Sequence, residues 1–127
     1  MSTLTPSQQD YLETILDLSQ GEGSVRSIDI ATTLGFSRAS VNKAIQSLKA
    51  QGFIEHEHYG QITLTDSGLL EARAVRRRHN LLKTFLMQIL GVDETVAEED
   101  ACRMEHVVSL KSLEKLESFT EEYLDKK

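Results

Sequence analysis

Cys102, Glu105 and His106 stand three and four residues apart in the run Cys102-Arg103-Met104-Glu105-His106. On an α-helix that spacing puts all three on one face. Thiolate, carboxylate and imidazole are the donors that hold first-row transition metals, so this face offers half of a coordination shell. The rest has to come from elsewhere in the chain. Asp10 and Glu13 are three residues apart near the start, and His79 follows the basic run Arg76-Arg77-Arg78. A lone histidine is more often structural than a ligand, and Glu-rich helices produce such pairs by chance. Spacing alone therefore leaves a metal site and a solvated acidic face both open. There is no His-Glu-x-x-His pair, and no enzyme is expected.

The elements that carry these residues follow from period and punctuation. Ser7 is expected to cap a first helix through Ser19, with Tyr11, Leu12, Ile15 and Leu16 at helical spacing. Gly21-Glu22-Gly23 breaks it. A short helix over Val25–Leu34 ends at Gly35, and Ser37 caps a third helix running to about Gln51, which Gly52 ends. The period then changes to two. Residues 53–57 and 61–65 read as strands of a hairpin turning at Tyr59-Gly60. Thr65 or Asp66 caps a long helix to about Leu90, followed by helices over Glu94–Val108 and Ser109–Leu124. The fold class is thus mainly α with a small β-hairpin.

Two short helices joined by Leu34-Gly35-Phe36-Ser37 make a helix-turn-helix, and a hairpin directly after makes its winged variant. In such a motif the second helix enters the major groove of double-stranded DNA and its first residues meet base edges. Here those are Ser37, Arg38, Ala39, Ser40, Asn42 and Lys43, while Val41, Ala44, Ile45 and Leu48 face inward. Arg38 suits guanine or phosphate, Asn42 suits adenine, and Ala39 suits a thymine methyl. Arg26 is placed to anchor a phosphate.

The bulk numbers are compatible with this. The chain has 127 residues, 39% of them hydrophobic, enough for one domain or two small lobes. A single cysteine excludes an internal disulfide and fits a reducing cytoplasm. Residues 1–9 lack the basic-then-apolar pattern of a signal peptide. No apolar run approaches the roughly 20 residues of a membrane span, so no membrane partner is expected. The net charge of −6 argues against a nucleic-acid partner until it is divided. Residues 25–78 carry eight bases against five acids, whereas both ends are acidic. A basic middle can meet a polyanion, and acidic ends can meet cations.

The residues together resemble the diphtheria-toxin-repressor and manganese-transport-regulator family of metal-dependent transcriptional regulators. The resemblance runs through Ser7-Gln8-Gln9-Asp10-Tyr11-Leu12-Glu13, Ile28-Asp29-Ile30-Ala31, Ser37 to Leu48, Gly60 with Ile62-Thr63-Leu64-Thr65, Arg78-His79, and Cys102 to His106. It implies a homodimer on a palindromic operator, with a winged-helix domain over residues 1–66 and a helical metal-binding and dimerisation domain over 67–127. Asp10, Cys102, Glu105 and His106 fall on one family metal site. Glu13 and His79 complete or neighbour a second. The implied corepressor is Mn2+ or Fe2+. Asp10 fits the manganese type and Cys102 the iron type, so the metal stays open. Lys83 stands where some relatives carry Glu. A metal-independent winged-helix regulator that senses a ligand or redox state through Cys102 is the alternative.

Overall fold

Pro6 decides where the first helix starts. It has no N–H to lose, and its fixed φ suits the first helical position, so the residue before it becomes the cap. In the computed structural model, which describes residues 4–20, 23–57 and 60–126, α1 spans Pro6–Ser19 and Thr5 caps it. Thr5 Oγ1 accepts from the Gln8 amide and Gln8 Oε1 accepts from the Thr5 amide, each at 3.1 Å. Ser7 is not the cap; it lies within the first turn.

Val25–Arg26 forms β1, and α2 begins only at Ser27, ending at Leu34. The expected helical start at Val25 is displaced by pairing with distant chain. Val25 pairs antiparallel with Ile62 and Arg26 with Gln61. Gly35, at φ 72°, closes α2 in the left-handed region where a side chain is strained. Ser37 caps α3, Arg38–Ala50, as its spacing indicated. The strands β2, Ile54–His56, and β3, Gln61–Leu64, pair antiparallel, so the sheet order is β1-β3-β2. The expected turn residue Tyr59 lies outside the described residues.

The first unit, Met1–Ala74, closes around one core. Leu12 and Ile15 of α1, Ile30 of α2, Ile45 and Leu48 of α3, and Ile54 and Ile62 of the sheet are all buried there. Each such side chain contributes about 1.5–3 kcal/mol when fully removed from water. α4, Asp66–Thr84, starts against this core, with Ala72 within it. Thr65 serves as its cap, accepting from the Gly68 amide at 3.1 Å. A Cβ at Gly68 would lie 1.9 Å from the Phe53 carbonyl oxygen, so only glycine fits where α4 meets the chain leading into β2.

The second unit, Val75–Lys127, holds the rest of α4. The expected α-helix to Leu90 changes character at Phe85. Residues Phe85–Ile89 form a π-helical turn, in which Leu90 N donates to Phe85 O at 3.3 Å. α5 spans Glu94–Met104, shorter than expected, and Asp93 caps it. α6 spans Leu110–Asp125 under a Ser109 cap. Leu82, Ala101 and Leu113 form this unit's core, with Leu81, Met104, Val108 and Leu116 against it.

Candidate metal centre and DNA-reading face

α4 and α5 share an apolar core through Leu82 and Ala101, and beside it they meet through polar side chains. Ala97 and Ala101 are fully buried on α5, which brings the neighbouring donors close to His79 of α4. His79 is itself buried, with 2% of its surface exposed. Its Nδ1 lies 3.1 Å from Glu105 Oε2 and 3.7 Å from Cys102 Sγ. Its Nε2 lies 2.9 Å from Glu98 Oε2. His106 Nε2 lies 3.4 Å from Glu105 Oε1, so Cys102, His79, Glu105 and His106 form a continuous chain of donors. Four of the six metal ligands suggested by the sequence are thus brought together within the second unit. The other two, Asp10 and Glu13, lie one turn apart on α1 in the first unit, both half-buried.

α5 ends at Met104 and Glu105 is its C-cap. Glu105 and His106 therefore stand just beyond the regular helix rather than within it. Glu105 keeps a helical backbone, at φ −58° and ψ −22°, so the shared face survives. Arg78 fixes this end of α5: its Nε donates to the Glu105 carbonyl oxygen at 3.1 Å. Of the other arginines in the run, Arg77 pairs with Glu117 of α6 at 3.1 Å.

The sequence reading missed Glu98. It lies four residues before Cys102 and seven before Glu105, which is one helix face, and that spacing was the available signal. His79, Glu98 and Cys102 offer donor atoms that all lie within 4.8 Å of one another. Two atoms bonded to one ion at about 2.0–2.3 Å lie at most roughly 4.6 Å apart, so a small contraction suffices to hold a cation. The Glu98 carboxyl is held below the usual carboxylate range, first by a hydrogen bond from Lys83 and then by His79. Lys83 is correspondingly held above its ordinary value by Glu98.

The two contacts of His79 outnumber the hydrogens of a neutral ring. A neutral imidazole carries one N–H and can donate to one neighbour only. His79 has a carboxylate at each nitrogen, so one of the two contacts needs an added proton or a metal ion. A buried histidine and carboxylate with an exposed thiol beside them are the donor chemistry of a transition-metal site.

On α3 the structure shows which side chains face outward and which inward. Ser37, Arg38, Ala39, Ser40, Asn42 and Lys43 are all exposed, while Val41, Ile45 and Leu48 are buried. Ser37 Oγ is committed to its cap, accepting from the Ser40 amide at 3.1 Å. Arg26 is exposed in β1, directly before α2, instead of inside a helix.

Residues 3–62 match the family description "Iron dependent repressor, N-terminal DNA binding domain". Residues 65–124 match "Iron dependent repressor, metal binding and dimerisation domain". The chain belongs to the iron-dependent repressor family. Family members are transcriptional regulators and not enzymes. An HTH-type transcriptional regulator of Methanocaldococcus jannaschii is 35% identical over 124 residues, covering 97% of this chain and 99% of that one. The transcriptional regulator MntR of Salmonella typhimurium is 37% identical over 114 residues, covering 90% of this chain and 72% of that one. A solved manganese-dependent transcriptional repressor in complex with manganese superposes with a TM-score of 0.81 at 33% identity. That match covers 89% of this chain, which spans about half, 52%, of the solved one. Among the described residues no helix is long and apolar enough to cross a membrane.

Proposed function

We propose that this family member is a metal-dependent DNA-binding repressor whose corepressor is Mn2+ or Fe2+. The observation that carries the reading is buried His79, set between two carboxylates with Cys102 beside it. Cys102, Glu105, His106 and His79 supply ligands from the second unit, and Asp10 and Glu13 supply them from α1. Residues 1–66 read DNA through Arg26, Ser37, Arg38, Ala39, Ser40, Asn42 and Lys43, and residues 67–127 bind metal and dimerise. Exposed apolar side chains on α6, among them Leu110 and Phe119, suit burial against a second copy. The homodimer presents two recognition helices to a palindromic operator, in the cytoplasm.

The bound ion supplies positive charge and directional bonds. The chain's own groups do the rest. Carboxylates gathered around one ion repel one another, and a divalent cation among them offsets that repulsion. For the ion to act as corepressor it has to bind the DNA-competent dimer more tightly than the other conformers. Cys102 adds a soft donor to a set of three carboxylates and two imidazoles, which raises affinity for iron, cobalt and zinc relative to manganese.

Selection from a random duplex DNA pool, run with chelator-stripped protein and with added Mn2+ or Fe2+, tests this reading. A palindromic sequence enriched only with metal is expected. Equal enrichment after stripping would favour a metal-independent regulator.

A further inference from the structure

One side of His79 is already balanced by the chain's own charge. Glu98 Oε2 lies 2.9 Å from His79 Nε2 and 3.0 Å from Lys83 Nζ, so a single carboxylate oxygen serves both groups. Lys83 Nζ also lies 3.6 Å from Glu94 Oε1. His79 and Lys83 are one turn apart on α4, and Glu94 and Glu98 are one turn apart on α5. Two helices thus face each other with an imidazole and an ammonium on one and two carboxylates on the other. Only 28% of the Lys83 side chain is exposed, so it is partly held in this position.

The same carboxylate belongs to a ligand set. His79, Glu98 and Cys102 have the mutual distances of groups that hold one ion. A divalent ion on Glu98 and His79 Nε2 would sit within a few ångström of the ammonium, and the repulsion doubles with the ion's charge.

We propose that Lys83 is a tethered cation that keeps Glu98 out of the metal shell, so that ions bind only on the side of His79 facing Glu105. Lys83 is then the residue that sets how many ions each chain takes. It is a positioning residue as well, because it fixes the carboxylate that orients the His79 ring. The inference rests on the metal-binding reading above.

The test uses the full chain, stripped with chelator and titrated with Co2+ alone. Cobalt retained per chain is measured by equilibrium dialysis, and thiolate-to-cobalt absorption reports on Cys102. Wild type, Lys83→Met, Lys83→Arg and the double variant Lys83→Met with Glu98→Gln are compared. Lys83→Met should retain about one more cobalt per chain, with stronger thiolate absorption, through the freed oxygen donor. Lys83→Arg, which keeps the cation, should match wild type, and the double variant should lose the gain. An unchanged cobalt count in folded Lys83→Met, while wild type still binds cobalt, overturns this proposal only. A gain that persists in the double variant overturns it too, since Glu98 would not be the ligand. No cobalt on any variant defeats the metal reading itself, and this proposal with it.

Discussion

His79 Nδ1 and Glu105 Oε2 lie 3.1 Å apart across 26 residues of sequence, both buried. The contact joins α4 to the end of α5, and Arg78 holds the same turn from its backbone side. A buried carboxylate against a buried imidazole is costly unless a proton or metal bridges or neutralises it.

The first prediction follows from that contact. Glu105→Gln keeps the shape and removes the charge. It should weaken cobalt or manganese affinity by roughly 100-fold or more while the far-ultraviolet dichroism stays helical. Isothermal titration with each metal checks this, and wild-type affinity in the variant would remove Glu105 from the ligand set.

The recognition helix gives a second. Arg38→Ala should cost about 1–3 kcal/mol of DNA affinity and relax preference at one base position. Lys43→Ala, read as a phosphate contact, should weaken all duplexes alike and reduce the salt slope by about 1. Fluorescence anisotropy over a range of salt separates the two effects. Both variants should bind metal as wild type does; a change in metal affinity would contradict the division of roles.

Gly68 gives a third, on stability alone. A methyl group there would approach the Phe53 carbonyl oxygen to 1.9 Å, which leaves no room without moving backbone. Gly68→Ala should destabilise by roughly 1–3 kcal/mol, despite alanine's better helix propensity. A thermal melt decides, and an unchanged or raised midpoint would show that β2 and α4 yield freely.

A fourth concerns alkaline pH. Burial holds the Tyr11 phenol above its ordinary value of 10.0. The folded state therefore resists ionisation that the unfolded chain accepts. The resulting stability is fully present below pH 10.0 and declines as pH rises toward the folded value. Denaturant midpoints of wild type and Tyr11→Phe should diverge as pH rises past the unfolded value. Parallel curves would show that the phenol is not protected.

Much of this molecule can be read from local sequence because its signals are local. Ser37 and Gly35 bracket the turn between α2 and α3, and the structure uses both as cap and stop. The buried set Val41, Ile45 and Leu48 follows from helical period alone. Thr5-x-x-Gln8 is a legible capping box, yet Ser7 draws attention first because it also follows Pro6. β1 is not legible. Two residues carry no period, and their strand character comes from Ile62 and Gln61 far along the chain. Glu98 looks like an ordinary solvated charge on its own helix, and Lys83 stands out only through the family resemblance. Their meaning appears only when α4 and α5 bring them to His79.

The π-helical turn at Phe85–Ile89 makes this stretch of chain a register buffer. A π turn accommodates one more residue than an α turn, and one residue on a helix corresponds to about 100° of rotation. The slack falls after Thr84, so the one-turn spacing of His79 and Lys83 is untouched by it. Everything from Leu90 onward is re-aimed relative to a plain helix of equal length. An inserted or deleted residue at Phe85–Ile89 thus changes the approach of α5 while leaving the spacing on α4 intact. In lineage terms, the donors on α4 and α5 could be re-paired by a single indel without a single substitution at the donors themselves.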